Sequence, residues 1–193
     1  NKGKKQKTKT LKGGTRPEAL PTDRDLALVA VKQDGRELEY ARPELQADRE
    51  VVLAAVKQNG IALRHASETL QEDREVVLAA VKRDAYALRY ASEDLQADHD
   101  LVLVAVKQNG NALQFASEEL KADRAVVLAA VKQNGFAIHY ASEELKDDSK
   151  IVLEAVTQNE EAIFFASVRA QTNHAANRNW PATIRWQLRN WRL

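Results

Sequence analysis

The sequence predicts an all-α fold: an α-solenoid of about six 25-residue helical-hairpin repeats, with a basic N-terminal arm and a C-terminal amphipathic helix. Three observations support this prediction. Aspartates recur every 25 residues without insertion or deletion, the apolar residues are mainly Ala, Val and Leu, and Gly and Pro are few. A fixed period of this length indicates stacked supersecondary units, and such a composition favours helices. The aspartates that begin units one to six are Asp23, Asp48, Asp73, Asp98, Asp123 and Asp148.

Each unit is expected to begin with an amphipathic helix. In unit two, the Asp48 carboxylate suits the N-cap, where it accepts hydrogen bonds from free backbone N–H groups. Gly60 is expected to follow the helix in the left-handed conformation that often ends helices. Between them lies one apolar stripe on one helix face, formed by Val51, Val52, Ala55 and Val56.

A second, shorter helix is expected to complete the hairpin. In unit two its buried stripe consists of Ala62, Leu63 and Ala66. Ser67 is then expected to cap a final turn that returns Leu70 to the core. Because one such unit buries too little apolar surface to fold alone, neighbouring units must supply the rest of its core.

Departures from the repeat concentrate at its ends. Unit one carries Glu37, Arg42 and Pro43 at positions where most other units have Ala, Ser and Glu, and unit six carries Glu160 where most have Gly. These two units therefore read as polar terminal caps. Inside the array, Ala85 replaces the glycine of unit three, which predicts a different turn at that corner.

The repeat resembles a known family. Residues 51–67, 76–92 and 126–142 follow, with small departures, the pattern VVLAAVKQNGxALxxAS. This pattern is similar to the repeats of the family called domain of unknown function 4116, and the likeness covers residues 23–167. It implies helical repeats and implies no activity, cofactor or catalytic residue.

The net charge of +1 hides a separation of charge along the chain. Residues 1–16 carry seven basic residues and no acid, and residues 168–193 carry five arginines and no acid. The body, residues 17–167, is therefore strongly acidic. The predicted organisation is a basic arm and linker over residues 1–22, the solenoid over 23–167, and a Trp/Arg-rich extension over 168–193, helical from about residue 181.

Residue types and motifs argue against an enzyme. The chain has no Cys, which excludes disulfides, thiolate nucleophiles and Cys-ligated metals. It has no glycine-rich phosphate-binding motif, and its four histidines show no metal-ligand spacing. His65 stands where other units place Tyr or Phe, so it is expected to be a packed or half-exposed ring. We therefore predict no catalytic site, no metal site, no cofactor and no small-molecule substrate.

The N-terminal arm is the first candidate partner-binding segment. Its charge without apolar periodicity is typical of a segment that has no fold of its own. It is either a solvated tail or an arm that orders on RNA, on an anionic lipid surface or on an acidic protein. Its basic residues are Lys2, Lys4, Lys5, Lys7, Lys9, Lys12 and Arg16.

The C-terminal extension is the second candidate. Pro181 suits a first helical turn, and a helix from there would gather apolar residues on one face and arginines on an adjoining one. This face could cover the last repeat, bind a partner as Trp and Arg often do, lie on a membrane surface, or contact RNA. The candidate residues are Trp180, Arg185, Trp186, Arg189, Trp191 and Arg192.

A weaker candidate is a column of lysines at one position of the repeat. Stacking would align them in a row that could contact phosphate or an acidic partner. The alternative is that each lysine complements the C-terminal end of its own helix, which the acidic body favours. The column comprises Lys32, Lys57, Lys82, Lys107 and Lys132.

The functional prediction is a non-enzymatic scaffold or accessory subunit, which binds other proteins of a larger assembly through the solenoid surface and the basic termini. Two alternatives remain open: an RNA-associated protein at the periphery of a ribonucleoprotein, and a membrane-surface accessory subunit of a membrane protein complex. No apolar run reaches the roughly 18 residues of a membrane-spanning helix. The expectation is a soluble or peripheral protein, with an intracellular location favoured.

Overall fold

Six similar units follow one another along the chain. A computed structural model describes residues 22–175, with side chains described to residue 171. Within this range every regular element is a helix, and each unit packs on its sequence neighbours. The all-α repeat solenoid is confirmed.

Each unit contains three helical elements where the sequence predicted two. The α-helices are numbered α1 to α12 in chain order. A long α-helix opens each unit: α1 Asp23–Gln33, α3 Arg49–Gln58, α5 Arg74–Arg83, α7 His99–Gln108, α9 Arg124–Gln133 and α11 Ser149–Gln158. A 3₁₀ helix follows: Gly35–Tyr40, Gly60–His65, Ala85–Tyr90, Gly110–Phe115, Gly135–Tyr140 and Glu160–Phe165. A short α-helix ends each unit: α2 Pro43–Gln46, α4 Glu68–Gln71, α6 Glu93–Gln96, α8 Glu118–Lys121, α10 Glu143–Asp147 and α12 Val168–Ala175.

The predicted second helix is divided because side-chain turns delimit it. In unit two, the Asn59 side chain accepts a hydrogen bond from the backbone N–H of Ile61 at 3.1 Å. This Asx turn starts the 3₁₀ helix directly after α3. Ala66 is extended, with φ −70° and ψ 152°, and so separates the 3₁₀ helix from α4. Six residues remain between the two boundaries, which is a longer run than the roughly three or four residues of most 3₁₀ helices.

The aspartate N-caps are confirmed in units two to six. The Asp48 carboxylate accepts from the backbone N–H groups of Glu50 at 2.9 Å and Val51 at 3.2 Å, and its equivalents cap α5, α7, α9 and α11. Unit one differs, because Thr22 caps α1 through a capping box with Asp25. Asp23 therefore lies in the first turn of α1 rather than at its cap.

The predicted core residues are buried. The stripe of α3 is fully buried. In the second half of unit two, Leu63 is fully buried, and Leu70 returns to the core at 7% exposure. The equivalent residues of the other units extend this core through the stack, and every member is Val, Ala, Leu or Ile. Packing of branched and small side chains between units is therefore the main source of stability.

The expectation of a left-handed Gly60 is wrong. None of the glycines in the described residues has a left-handed φ. A Cβ placed on Gly60 would instead overlap the backbone carbonyl oxygen of Ala80 in unit three. Gly35, Gly110 and Gly135 face the following unit in the same way. The glycine is needed because two backbones approach closely there.

The expectation of a different turn at Ala85 is also wrong. Unit three forms the same 3₁₀ helix, and the Asp84 side chain accepts from the backbone N–H of Tyr86 at 2.9 Å. The difference lies in the packing. Along the stack, α5 and α7 approach each other over fewer residues than any other neighbouring long helices. The methyl group at the glycine position therefore accompanies a looser joint between units three and four.

Hydrogen bonds join each unit to the next. In each pair from units one and two onward, a serine backbone N–H donates to the carbonyl at the C-terminal end of the preceding short helix, as Ser67 does to Gln46 at 2.9 Å. Glutamines add side-chain bonds at some joints. The Gln58 Oε1 accepts from the backbone N–H of Gly35 at 2.7 Å, and Gln133 serves Gly110 in the same way. These hydrogen bonds align equivalent positions of successive units.

Candidate functional site

Equivalent residues form rows along the stack. Long helices pack against long helices of the next unit, and 3₁₀ helices pack against 3₁₀ helices. A residue type that recurs at one position of the repeat therefore becomes a continuous strip of surface. In the part of the chain that the structure describes, these rows are candidate surfaces for a partner.

One layer holds all eight Tyr and Phe residues of the chain. They occupy three positions on the 3₁₀ helices, and none of them is buried. Rings of adjacent units touch edge to face: the ring centroids of Tyr86 and Phe115 are 5.8 Å apart, as are those of Phe136 and Phe165. We call this strip the aromatic band. It consists of Tyr40, Tyr86, Tyr90, Phe115, Phe136, Tyr140, Phe164 and Phe165.

The aromatic band also carries arginine and histidine. The Arg89 guanidinium lies 5.9 Å from the centroid of the Tyr90 ring, within cation–π range. The Arg64 Nε donates to the Nε2 of His65 at 2.6 Å. Burial, together with the Arg64 charge, lowers the pKa of His65, which favours the neutral ring that can accept this bond. The half-buried position expected for His65 is the one observed.

Sequence reasoning found only part of the aromatic band. It recognised the position of Tyr40, Tyr90 and Phe115, but not the positions of Tyr86 and Phe164. The available signal was that every Tyr and Phe falls outside the apolar stripes that predict the core. From this signal alone, the rings could have been predicted to lie outside the core.

The lysine column forms an exposed row on the opposite layer. Each of its five lysines lies in the last turn of a long helix, and in the described part of the chain none of them forms an ion pair. Glu50 and Glu75 precede Lys57 and Lys82 by seven residues, which places them on the same helix face about 10 Å away. An acidic row thus runs beside the lysine row, which favours dipole compensation over phosphate binding.

An ion-pair ladder that the sequence reasoning missed links the long helices. The Arg at the start of one long helix reaches the N-cap Asp of the next: Arg24 to Asp48 at 2.6 Å, Arg49 to Asp73 at 2.8 Å, Arg74 to Asp98 at 2.7 Å and Arg124 to Asp148 at 3.4 Å. His99 takes the arginine position in unit four and lies 3.7 Å from Asp100 instead. The recurrent Asp-Arg dipeptide was the sequence signal for this ladder.

The ladder makes a prediction about pH. Arg24 holds the pKa of Asp48 below its usual range, and Arg49 does the same for Asp73. A lowered carboxyl pKa stabilises the fold above the unfolded value of about 3.9, and this contribution is lost as pH falls through the folded pKa. Glutamine at Arg24, Arg49 and Arg74 is expected to lower the melting temperature at pH 7, with a difference from the native chain that disappears near pH 2.

The control for this experiment is Arg83→Gln. Arg83 donates to the backbone carbonyl of Gln58 at 2.9 Å and has no carboxylate partner among the described residues. In thermal melts followed by circular dichroism, this substitution is expected to change the melting temperature by the same amount at pH 7 and near pH 2. A difference between the ladder variant and the native chain that persists at the acidic end would contradict the prediction.

The two terminal candidates lie outside the described residues. These are the basic residues of the arm, Lys2, Lys4, Lys5, Lys7, Lys9, Lys12 and Arg16, and the Trp and Arg residues of the extension, Trp180, Arg185, Trp186, Arg189, Trp191 and Arg192. The described chain enters the extension through α12, which is helical over Val168–Ala175. The helix expected from about residue 181 lies beyond it.

The described residues show no arrangement typical of a reactive site. No group of three His, Asp or Glu side chains between residues 22 and 171 is placed to hold a metal ion. His65, His99 and His139 lie in different units and do not meet. Within the same part of the chain, none of the helices has both the length and the apolar character needed to cross a bilayer.

Comparison with known proteins identifies the repeat. The family model of a domain of unknown function, DUF4116, matches residues 23–71, 73–121 and 123–169. The chain belongs to the DUF4116 family. Each match spans two successive units, so one DUF4116 domain corresponds to a pair of the 25-residue units. No curated protein and no solved structure matches the chain.

Proposed function

We propose that this chain is a non-enzymatic scaffold or accessory subunit that binds a partner protein along the aromatic band. One observation carries the proposal: all eight Tyr and Phe residues lie on one outer layer, while the core consists only of Val, Ala, Leu and Ile. Large rings contribute more to a core than small side chains do when they are buried there. Tyr90, Phe115 and Tyr140 pack partly against the core, and the exposed remainder of the rings supports a role in binding a partner.

The composition of the band supports a protein partner. Tyr, Phe and Arg are enriched in protein interfaces, and Tyr and Arg are frequent among the residues that dominate binding energy. Edge-to-face contacts such as Tyr86 with Phe115 already hold the rings in place, which lowers the entropy lost on binding. A surface that extends over several units suits a partner segment lying along the stack, such as a helix or an extended peptide.

The charge around the band argues against nucleic acid as its ligand. The short helices beside it begin with exposed carboxylates, Glu68 and Glu93 among them, while Glu118 and Glu143 pair with Lys121 and Lys146. A phosphate backbone would be repelled by this row. In this proposal the basic termini, which lie outside the described residues, tether the scaffold to the same assembly rather than define the partner bound by the band.

The proposal is tested by removing rings of the band, and because Tyr90 and Tyr140 also pack partly against the core, folding is measured beside binding. Serine at Tyr40, Tyr90 and Tyr140 is expected to weaken binding of the partner isolated with the native protein, by roughly 2 kcal/mol for each ring that acts as a hot spot. The matched control places serine at Lys57, Lys82 and Lys107 on the opposite layer. Affinity would be measured by calorimetry with the purified partner, and folding by circular dichroism.

The outcomes separate the functional classes. Loss of binding in the tyrosine variant alone supports the proposal, whereas unchanged affinity in that variant contradicts it. RNA binding that falls steeply with salt would instead support the RNA-associated alternative. Co-sedimentation with anionic vesicles that requires the three tryptophans would support the membrane-surface alternative.

A further inference from the structure

The outer side of unit one exposes apolar side chains. Leu26 and Val29 of α1 are 55% and 56% exposed, whereas the equivalents of Leu26 in units two to six are fully buried. Leu26 and Ala30 line a cavity of about 340 Å³ at this end of the stack. A terminal cap turns a polar side outward, so unit one lacks the outer side of the cap that its sequence predicts. We call this surface the open end.

The side of a unit that faces its predecessor has three recurrent features at the described joints. The backbone N–H of a serine donates to the preceding short helix, as Ser92 does to the carbonyl of Gln71 at 3.1 Å. The side chain at the end of the long helix reaches back to a carbonyl of the preceding unit, as Gln58 does at 3.4 Å and as its equivalents in units three to five do. An alanine carbonyl, such as that of Ala80, lies against the preceding glycine.

Unit one has the same features at the open end. Arg42 stands at the serine position, and its backbone N–H has no acceptor in the described part of the chain. Gln33 stands at the position of Gln58, and among residues 22–171 its side chain forms no hydrogen bond. Ala30 supplies the equivalent carbonyl, and Asp23 stands at the position of the ladder aspartates. Unit one therefore keeps the features through which the other units receive a predecessor.

These features define what can occupy the open end. At most described joints the preceding unit supplies a glycine that lets the backbones approach, as Gly35 does beside Ala55, and an arginine that reaches the next aspartate. Unit six of a second copy has neither, because Glu160 and Ser149 stand at those positions. Residues 1–22, directly before unit one, do not carry the repeat pattern. Two open ends present the same receiving features and so do not complement each other.

We propose that the open end docks a DUF4116-type repeat unit of another protein, one with glycine at the close-approach position and arginine at the ladder position. The glycine approaches the carbonyl of Ala30, and the arginine pairs with Asp23, whose present partner Arg42 is an exposed residue of the same unit. The apolar residues of the docked unit cover Leu26 and Val29. The complex continues the internal joints of the stack, and the proposal is independent of the function proposed for the aromatic band.

The fit is tested by inserting a second copy of residues 48–72 between Thr22 and Asp23 of the full chain. The insert carries the glycine and arginine of unit two and keeps the period of 25 residues. It is expected to raise the melting temperature measured by circular dichroism, because one more joint is formed. The matched control is the same insert with glutamate in place of its glycine, as in unit six, where Glu160 begins the usual 3₁₀ helix. This control is expected to give no rise.

The role of the Arg42 backbone N–H is tested in the chain with the insert. Arg42→Pro removes this donor and keeps the backbone conformation, because Arg42 has φ −62° and proline fixes φ near about −65°. It is expected to reduce the rise in melting temperature. Arg42→Gln, which keeps the N–H and removes only the side-chain charge, is expected to retain more of the rise.

Docking between separate chains is tested with the full chain carrying Ser149→Arg and Glu160→Gly. This variant has both an open end and a matching forward side, so it is expected to form head-to-tail oligomers in sedimentation velocity. Adding Leu26→Glu and Val29→Glu is expected to abolish these oligomers. The variant with Ser149→Arg alone is the control and is expected to stay monomeric, because the glutamate still prevents the close approach.

Four results would overturn the proposal. The first is an equal melting temperature with the two inserts. The second is a failure of the double variant to form oligomers, or oligomers that persist with glutamate at Leu26 and Val29. The third is a dimer of the native chain that Leu26→Glu abolishes, which would show that a second copy covers the open end. The fourth is a loss of stability from Leu26→Glu in the native chain as large as that from Leu38→Ala, which would show that the end is already covered.

Discussion

Replacing Leu113 by alanine is expected to lower the free energy of unfolding by about 2–5 kcal/mol. Leu113 is fully buried in unit four, near the middle of the stack. Its loss removes buried methyl groups and leaves a cavity between layers that branched side chains fill tightly. Guanidinium denaturation followed by far-ultraviolet circular dichroism measures the change. Leu26→Ala is the control, because Leu26 is 55% exposed.

The position of the substitution should decide how far its effect spreads. Leu38 in unit one is as fully buried as Leu113, but unit one has only one neighbour. In a solenoid whose units interact only with their neighbours, Leu38→Ala is expected to unfold the first unit early and leave the others folded, which broadens the transition. Leu113→Ala, in the middle of the stack, should lower the unfolding free energy of all the units together. Identical two-state transitions for both variants would show cooperativity beyond nearest neighbours.

Alanine at Gly60 is expected to destabilise the stack by about 1–3 kcal/mol. The new methyl group would overlap the backbone carbonyl of Ala80, which cannot rotate away as a side chain could. The substitution also restricts the unfolded chain, which favours folding by about 0.4–1 kcal/mol, so the steric effect dominates. Chemical denaturation of the variant gives the net value.

Ala85→Gly provides the reciprocal test. This change removes the methyl group at the looser joint and is expected to change the unfolding free energy by less than the Gly60 substitution, since the added chain entropy of about 0.5–1 kcal/mol opposes tighter packing. A loss of stability at Ala85→Gly as large as at Gly60→Ala would show that close approach does not explain the glycine position.

The local features of the unit could be predicted from the sequence. The period of 25, the Asp48 cap and the stripe ending at Val56 depend on residues close together in the chain, and helix periodicity and capping chemistry identify them. The core residue Leu70 was found for the same reason. These predictions required no knowledge of how one unit lies against the next.

The features that were missed depend on distances between units. From the sequence, Gly60 is expected to be an ordinary helix terminator. The structure shows that it lies against the backbone carbonyl of Ala80 in the next unit, where a Cβ does not fit. From the sequence, Arg49 is expected to be a solvated residue in the first turn of α3. In the structure its Nε lies 2.8 Å from a carboxylate oxygen of Asp73, the N-cap of the next long helix. The aromatic band likewise becomes visible only when the 3₁₀ helices stack. Sequence periodicity predicts the helices and core residues within one unit, whereas the separation and orientation of successive units depend on how their side chains pack.

The looser joint at Ala85 breaks the translational symmetry of the surface. A ladder of identical units would let a long ligand bind equally well after sliding by one unit, so its position would be undetermined. Between units three and four, α5 and α7 are in contact over a shorter stretch than elsewhere among the described long helices, so a ligand that spanned this joint would meet a different surface there. The row of units therefore carries one distinguishable joint, at the unit in which Ala85 stands in place of glycine.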